Sequence, residues 1–441
     1  MSEVVVTGAH GRRYTAVTDA LLAVFAVVAV RNSVVYPAIA GYDARESLDY
    51  ADGLAHHGRL PDATGSYYTP PGFFAIGALG ILVGERLGFA HPERVGQVAN
   101  ALAGLGTLVL LFLLVRELWP ARPVLHIAAL VFAIACPVVF KAAAMFHPEP
   151  LSFFFSTAAL LVAARMLVRR RYSLLAAAGL GATLGLAQLV RAWTLWTVGV
   201  VLLVLVVALV TRPAERRGLA RALAIAAALA LVVPLPWYSY QALRQGGPVF
   251  DRPQPNAPLW DRRPLGFYVG NGLPKVITDP VAPSFRGQFA PLAYSEVWGD
   301  YFGIWHWNSS IGPPNSSERR ETVVQAVVGL PYTLLALAGW LALLAVMIRR
   351  PAAEPARQLV ALLPLAALLG VLYFATAYPT TDGDTAKGSF MLTAVPAWAA
   401  CFGFAFDGLT RRFPRMLVPS VVLLAICAGL SLRFGLAVAS P

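Results

Sequence analysis

Three acidic residues, Asp43, Glu46 and Asp49, stand close together in the stretch GYDARESLDY at residues 41–50, directly after a segment that is almost free of charge. A carboxylate at the mouth of a membrane helix loses part of its hydration, which predicts a raised pKa for Asp43. Such a carboxylate suits a general base that removes a proton from a hydroxyl group. A helix that starts here would place Asp43, Glu46 and Tyr50 on one face. The alternative is that Asp43 only caps an interfacial helix.

A second polar motif, MFHPEPLSFFF, places His147 and Glu149 between two apolar segments. Pro148 and Pro150 flank Glu149, which predicts an extended backbone that aims its carboxylate outward into a cleft. Alternatively, Glu149 lies at the start of the next helix and interacts with its dipole. A His and a Glu two residues apart could also contribute to a divalent metal site, although two ligands are a weak signal.

Two cations interrupt apolar sequence farther along the chain. Arg191, in LAQLVRAWTLW, is costly in a membrane unless it meets an anion such as a lipid phosphate, and the alternative is an arginine that snorkels to the interface. Lys387, in TTDGDTAKGSF, could bind phosphate or could neutralise Asp382 and Asp384 just before it.

The composition indicates a membrane protein that must position these residues. The chain has 441 residues, of which 58% are hydrophobic and 13% charged, unlike a soluble globular domain. The net charge of +12 comes from short basic clusters between apolar runs, which are typical of topology signals, so no nucleic acid partner is expected. The three cysteines lie in apolar runs and indicate helix packing.

A bilayer core about 30 Å thick needs roughly 20 apolar residues per helix. By this criterion the sequence predicts an all-α polytopic membrane protein with about eleven spans. They lie near residues 16–37, 95–115, 124–140, 151–168, 173–190, 193–211, 220–238, 322–348, 358–378, 389–408 and 415–435.

The segment 70–88 is apolar but short, and it begins with two prolines. If it does not span, the basic clusters all fall on the cytoplasmic side with the N-terminus, so the positive-inside rule predicts an interfacial or re-entrant helix. We therefore expect a transmembrane module at 1–238 with a first outer loop at 38–94, a large extracytoplasmic loop at 239–321, and C-terminal membrane helices at 322–441.

The order of these pieces resembles the GT-C superfamily of polytopic glycosyltransferases, close to the family 39 protein O-mannosyltransferases and the lipid A aminoarabinose transferases. The matching stretches are GYDARESLDYADGLAHHGRLPD, YYTPPGFF, HPERVGQVANALAGLGTLVLLFLLVREL, FHPEPLSFFFSTAALLVAARML and KGSFMLTAVPAW. The resemblance implies a GT-C fold with a catalytic first outer loop, followed by a helix along the membrane surface.

The resemblance also implies roles for individual residues. It predicts Asp43 as the catalytic acid residue with Glu46 near it, and Glu149 as the acidic residue of the second outer loop. It predicts that Arg191 and Lys387 bind the donor phosphate, although many relatives carry Arg-Tyr where this chain has Gly-Ser-Phe. The residues predicted to contact substrate are Arg59, Tyr67, Tyr68 and His147.

The predicted function is transfer of a sugar from a polyprenyl-phosphate donor to a hydroxyl of a glycan, lipid or protein, with inversion, as the resemblance implies. The predicted location is the bacterial cytoplasmic membrane among its lipids, with the active site on the outer face. The sequence requires no cofactor, and a divalent metal ion at His147 and Glu149 is left as an alternative. A lipid-linked sugar flippase or other transporter is an alternative, but it predicts ionisable residues along a path through several spans. A membrane scaffold is another, and it would tolerate loss of Asp43.

Overall fold

The computed structural model describes most of the chain. The residues described are 9–39, 41, 43–61, 66–246, 256–270, 272–285, 287–299, 316–350, 352, 354–379 and 387–436. Within these ranges every regular element is an α-helix or a short 3-10 turn, and no strand occurs. The prediction of an all-α membrane protein is confirmed.

Three helices form the N-terminal part: α1 at Ala9–Val35, α2 at Ala44–His57 and α3 at Gly72–Arg86. The helix α2 is amphipathic and buries Ala44, Ser47, Tyr50 and Ala51 on one face. The helix α3 starts directly after Pro70 and Pro71, where proline is compatible with a helix start but not with a helix interior.

The remaining helices form the rest of the bundle and its loops. They are α4 at Arg94–Leu118, α5 at Pro123–Ala135, α6 at Pro137–Ala144, α7 at Glu149–Arg169, α8 at Leu174–Val190, α9 at Leu195–Thr211, α10 at Arg216–Val232, α11 at Leu235–Gln245, α12 at Leu265–Val269, α13 at Phe289–Trp298, α14 at Ser316–Arg349, α15 at Pro355–Ala377, α16 at Val395–Arg412 and α17 at Leu417–Gly435.

Among the described residues, eight helices are long and apolar enough to cross a membrane, and the number is ten if two bent pairs each count as one span. The pair α5 and α6 bends by 60° at Pro137, and α10 with α11 bends by 41°. The predicted span 173–190 corresponds to α8, which has 17 residues. At 1.5 Å per residue α8 is about 26 Å long, shorter than the bilayer core, so the prediction of eleven spans exceeds the number that pass by length.

The segment 70–88 does not carry the chain across the bundle. Gln97, near the start of α4, donates a hydrogen bond to the carbonyl of Tyr36 at the end of α1, with a distance of 3.1 Å. Both ends of the first loop therefore lie at the same end of the bundle. A Cβ on Gly80 would lie 2.8 Å from the backbone nitrogen of Gly96, so α3 crosses α4 close to its first turn. This geometry agrees with the predicted interfacial helix.

Arginine ion pairs gather at the opposite end of the bundle. Arg169 pairs with Glu117 at 2.7 Å, where α7 and α4 both end. Arg122 pairs with the buried Asp407 at 3.4 Å, which joins the start of α5 to the last turns of α16. We call this the basic end, and the end that carries the first loop is called the site end.

Two small apolar clusters hold the loops of the site end against the bundle. One joins α2 and α3 to the turn before α7, and its buried members include Tyr50, Phe73, Phe74 and Phe146. The other joins the large loop to α15 and to the 3-10 turn Gly388–Ala394, and it includes Phe285, Leu292, Val371 and Phe390. Residues far apart in sequence are thus packed together at one end.

Candidate active site

Asp43 lies at the first position before α2 but does not cap that helix. Its backbone has φ 51° and ψ 19°, and its side chain makes no capping hydrogen bond. The left-handed conformation is strained for most side chains, and Asp and Asn tolerate it best. The carboxylate is instead turned to Lys387, whose Nζ donates to Asp43 Oδ2 at 2.9 Å. The capping alternative is therefore wrong.

The ion pair determines the protonation of Asp43. Burial is the largest single effect and would raise its pKa, as the sequence predicted, but the charge and hydrogen bond of Lys387, with contributions from His147 and Arg191, together outweigh it. Together they lower the pKa of Asp43 from 3.8 to about 2. The prediction of a raised pKa is wrong for this state, because the sequence did not reveal the lysine, 344 residues away, that pairs with the carboxylate.

Glu149 is fully buried beside two other predicted site residues. Arg191 Nη2 lies 2.9 Å from Glu149 Oε1, and His147 Nδ1 contacts the other carboxylate oxygen. Pro148 has helical dihedral angles, and Glu149 is the first residue of α7 rather than part of an extended segment. The predicted extended backbone is wrong, because proline is well suited to the first turn of a helix.

Burial lowers the pKa of His147 well below its ordinary value, with Arg191 adding to the effect, so the imidazole is neutral at neutral pH. Asn100 fixes the turn that carries it. Its amide nitrogen donates to the carbonyls of Met145 and His147 at 2.8 and 2.7 Å, and its side chain is buried. The sequence signal for Asn100 was an amide inside the apolar run of α4, where polar groups need a partner.

The turn that presents Lys387 is held by the large loop. The buried carboxylate of Glu296, in α13, accepts a hydrogen bond from the backbone N–H of Gly388 at 3.0 Å. Lys387 itself is buried, and it precedes the 3-10 turn Gly388–Ala394. Sequence reasoning missed Glu296. The aspartates at 382 and 384, predicted as alternative partners of Lys387, lie outside the described residues.

Arg191 also reaches the first loop. Its Nη1 donates to Thr69 Oγ1 at 3.1 Å, directly after Tyr67 and Tyr68. The two tyrosine rings are half-buried and meet edge to face at 5.5 Å, and the carbonyl of Tyr67 accepts a hydrogen bond from Gln241 in α11. These tyrosines therefore border the cluster, as the proposed substrate role requires.

Glu46 and Arg59 lie farther from the two ion pairs. Glu46 accepts a hydrogen bond from Ser66 at 3.2 Å, and burial, followed by the charge of Asp43, raises its pKa. Arg59 is exposed just beyond the C-terminal end of α2. Since α2 is about 20 Å long, Arg59 is not part of the cluster around Asp43, and its contact with substrate stays a prediction.

The pair His147 and Glu149 is a poor site for a divalent metal. Within the part of the chain that the structure describes, no group of three or more His, Cys, Asp or Glu side chains is arranged to hold a metal ion. The guanidinium of Arg191 also occupies one oxygen of Glu149 and would repel a dication.

The arrangement as a whole combines an anion site with a base. Two cations, Arg191 and Lys387, lie at one end of the bundle, and each is paired with one carboxylate. A phosphate could exchange with either carboxylate at these cations. A carboxylate released in this way, in a partly desolvated position, could accept a proton.

Comparison with protein families finds one match. The family model described as dolichyl-phosphate-mannose-protein mannosyltransferase matches residues 83–245, which is less than half of the chain. This range contains His147, Glu149 and Arg191. No curated protein is similar enough in sequence to be matched.

Three solved structures share the fold. ArnT from Cupriavidus metallidurans bound to undecaprenyl phosphate is 18% identical, with a TM-score of 0.54, over 92% of this chain and 63% of that chain. The oligosaccharyltransferase of Archaeoglobus fulgidus in the apo form is 14% identical, with a TM-score of 0.57, over 96% and 56%. The oligosaccharyltransferase AglB of the same organism, with an inhibitory peptide and a dolichol-phosphate, is 11% identical, with a TM-score of 0.55, over 96% and 56%. The chain thus spans less than two thirds of each of these proteins.

Proposed function

We propose that the chain belongs to the GT-C superfamily, whose fold it shares with the matched structures, and that it transfers a sugar from a polyprenyl-phosphate donor to a hydroxyl group of an acceptor. The observation that supports this proposal most directly is the convergence of Asp43, Lys387, Glu149 and Arg191 in two ion pairs, one half-buried and one buried, at one end of a membrane bundle. A phosphate site and a base next to each other are what such a transfer needs.

The donor phosphate would bind between Lys387 and Arg191. The matched structures of ArnT and AglB contain undecaprenyl phosphate and a dolichol-phosphate, which are the same class of lipid. In the resting cluster the two cations balance the two carboxylates, and His147 is neutral. An incoming phosphate therefore competes with Asp43 and Glu149 for their partners.

This competition would activate Asp43. While Lys387 is its partner, the pKa of Asp43 is about 2 and the carboxylate is a very weak base. When Lys387 turns to the phosphate, burial is no longer outweighed, so the pKa of Asp43 rises. The base thus becomes competent only after the donor has bound, which protects the donor from reaction before the site is complete.

In the transfer step, Asp43 removes the proton of the acceptor hydroxyl as its oxygen forms a bond to the anomeric carbon. The bond from that carbon to the phosphate oxygen breaks, and the electron pair leaves with the polyprenyl phosphate. Arg191 and Lys387 stabilise the negative charge that develops on the departing phosphate. A single displacement of this kind inverts the anomeric configuration.

An open apolar groove of about 330 Å³ between the large loop and α15 could receive part of the lipid chain. Trp260 of the large loop lines it together with Leu369 and Tyr373 of α15. The neighbouring Phe374 packs edge to face against Phe390, which lies beside both cations.

The positive-inside rule assigns the basic end to the cytoplasm, so the site end would lie on the outer face of the membrane. In a bacterium this would be the face of the cytoplasmic membrane that is turned toward the cell envelope. The acceptor would then be a hydroxyl-bearing glycan, lipid or protein that arrives from outside. The donor would reach the site from within the outer leaflet.

The first test is transfer of a radiolabelled sugar from a polyprenyl phosphate by the purified protein in lipid nanodiscs supplied with envelope extract. Asp43→Asn should abolish transfer while donor binding persists. The matched control is Asp49→Asn, an exposed aspartate on the same helix, which should transfer at the normal rate. Full activity of Asp43→Asn would remove Asp43 from the mechanism, and absence of transfer from every donor tried would contradict the proposed function.

A further inference from the structure

The two cations of the site share one aromatic neighbour. The guanidinium carbon of Arg191 lies over the ring of Phe390 at 5.7 Å from its centroid, and Lys387 Nζ lies over the same ring at 5.8 Å. Phe390 is 6% exposed, so this ring is shielded from water. Both distances are within the range in which a cation is attracted to the face of an aromatic ring.

The two cations have the same local backbone conformation. Arg191 and Lys387 each have an extended conformation directly before a 3-10 turn, Ala192–Thr194 and Gly388–Ala394 respectively. Trp193 in the first turn stacks on Phe390 in the second, with 4.4 Å between centroids and 26° between planes. The stacked pair therefore joins the two turns and fixes the spacing of the cations that precede them.

From this geometry we propose that Phe390 is a positioning residue, an aromatic platform that holds Arg191 and Lys387 side by side for one phosphate. The proposal rests on the proposed function and assigns a residue to its donor site. Phe390 does not touch the reacting atoms and acts through the two cations. Its place is in the Gly-Ser-Phe sequence that follows Lys387.

An aromatic ring can do here what a further carboxylate could not. A third carboxylate would neutralise the cations and compete with the phosphate for them. The ring attracts both cations through its quadrupole but carries no net charge and cannot displace the phosphate. It also remains their neighbour when the ion pairs with Asp43 and Glu149 exchange, so the cations keep their positions during donor binding.

The quadrupole can be changed at nearly constant ring size by replacing Phe390 with phenylalanines that carry increasing numbers of ring fluorines. The measurement is binding of undecaprenyl phosphate to the protein in nanodiscs, with undecaprenol, which has no phosphate, as the reference ligand. We expect phosphate binding to weaken stepwise, by roughly tenfold at full fluorination, since two cation–π contacts are lost. Binding of undecaprenol should not change.

Phe374 supplies the matched control. It packs edge to face against both Trp193 and Phe390, so its fluorination tests the effect of fluorine in the same aromatic cluster. Unchanged phosphate binding across the Phe390 series would overturn the proposal, and so would an equal effect of fluorination at Phe374 or an equal loss of undecaprenol binding. A graded loss specific to phosphate and to Phe390 would support it.

Failure of the aromatic platform and failure of the proposed function give different results. A protein that binds undecaprenyl phosphate with the graded Phe390 dependence but transfers no sugar would support the platform and contradict the transferase. A protein that transfers sugar with a donor affinity insensitive to the Phe390 series would support the transferase and contradict the platform.

Discussion

The exchange of Lys387 between Asp43 and the donor phosphate predicts that kcat and kcat/KM fall at different acidic pH values. The parameter kcat/KM reports the free protein, in which neighbouring cations hold the pKa of Asp43 at about 2, below its ordinary 3.8. Since each pKa unit corresponds to about 1.4 kcal/mol, this difference is about 2.5 kcal/mol in favour of the ionised carboxylate, net of burial. The parameter kcat reports the donor complex, in which that stabilisation is largely lost.

The sign follows from the direction of each pKa. A base must be ionised to act, so activity is present above its pKa and is lost as the pH falls through that value. In the complex the pKa of Asp43 should exceed 3.8, because the lowering effects of Lys387 are lost while the larger raising effect of burial remains. We call the fall of each parameter on the acid side of its pH profile its acid limb. The acid limb of kcat should therefore lie roughly two pH units or more above that of kcat/KM.

The assay is sugar transfer at varied donor concentration, from about pH 2 to about pH 8, at constant ionic strength. Lys387→Met is the critical variant. Without its lysine, Asp43 loses its main partner in the free protein as well, so the acid limb of kcat/KM should move up to that of kcat. Glu46→Gln is the control, because Glu46 is a neighbouring carboxyl with a raised pKa. In this variant the acid limbs of kcat and kcat/KM should stay separate.

Two results would refute this reasoning. Coincident acid limbs in the unmodified protein would mean that donor binding does not change the environment of Asp43. Limbs that remain separate in Lys387→Met would mean that another group causes the difference. Either result would leave the ion pair as a resting contact without a role in activation.

Three further predictions concern the support of the site. Arg191→Lys should raise the donor KM by roughly tenfold in the transfer assay, because a compact ammonium cannot serve Glu149 and a phosphate together as a guanidinium can. Glu296→Ala should raise the donor KM, whereas Glu296→Gln, which keeps an acceptor for the same backbone N–H, should largely restore it. Gly80→Ala should lower the thermal unfolding temperature, since its Cβ would meet the backbone at 2.8 Å, whereas Gly179→Ala, with open space around the added Cβ, should not.

Much of the fold could be predicted from the sequence because membrane spans depend on local composition. Apolar runs of sufficient length correspond to the helices observed, including the two bent pairs. The interfacial helix α3 could be predicted from its short length and from the distribution of arginines. Ten of the eleven predicted spans correspond to helices or bent pairs that are long and apolar enough to cross a membrane, and the eleventh corresponds to the shorter helix α8, of 17 residues.

The partners of the site residues could not be predicted in the same way. The carboxylate of Asp43 stands out in the sequence, but the direction of its pKa shift depends on Lys387, and that contact is a property of the folded bundle. Glu296 and Phe390 looked like ordinary residues of a loop and of an apolar segment. Their roles follow only from their positions beside Lys387.

The sequence by itself determined that this chain is a membrane protein, which helices cross, and that its unusual polar residues gather in the loops of one side. These properties follow from the hydration cost of each segment, which is additive and local. The tertiary structure alone decided that Asp43 pairs with Lys387, that Glu149 pairs with Arg191, and that one aromatic ring serves both cations. Such pairings depend on a few ångströms between segments far apart in the chain, because ion-pair and cation–π energies fall off steeply with distance.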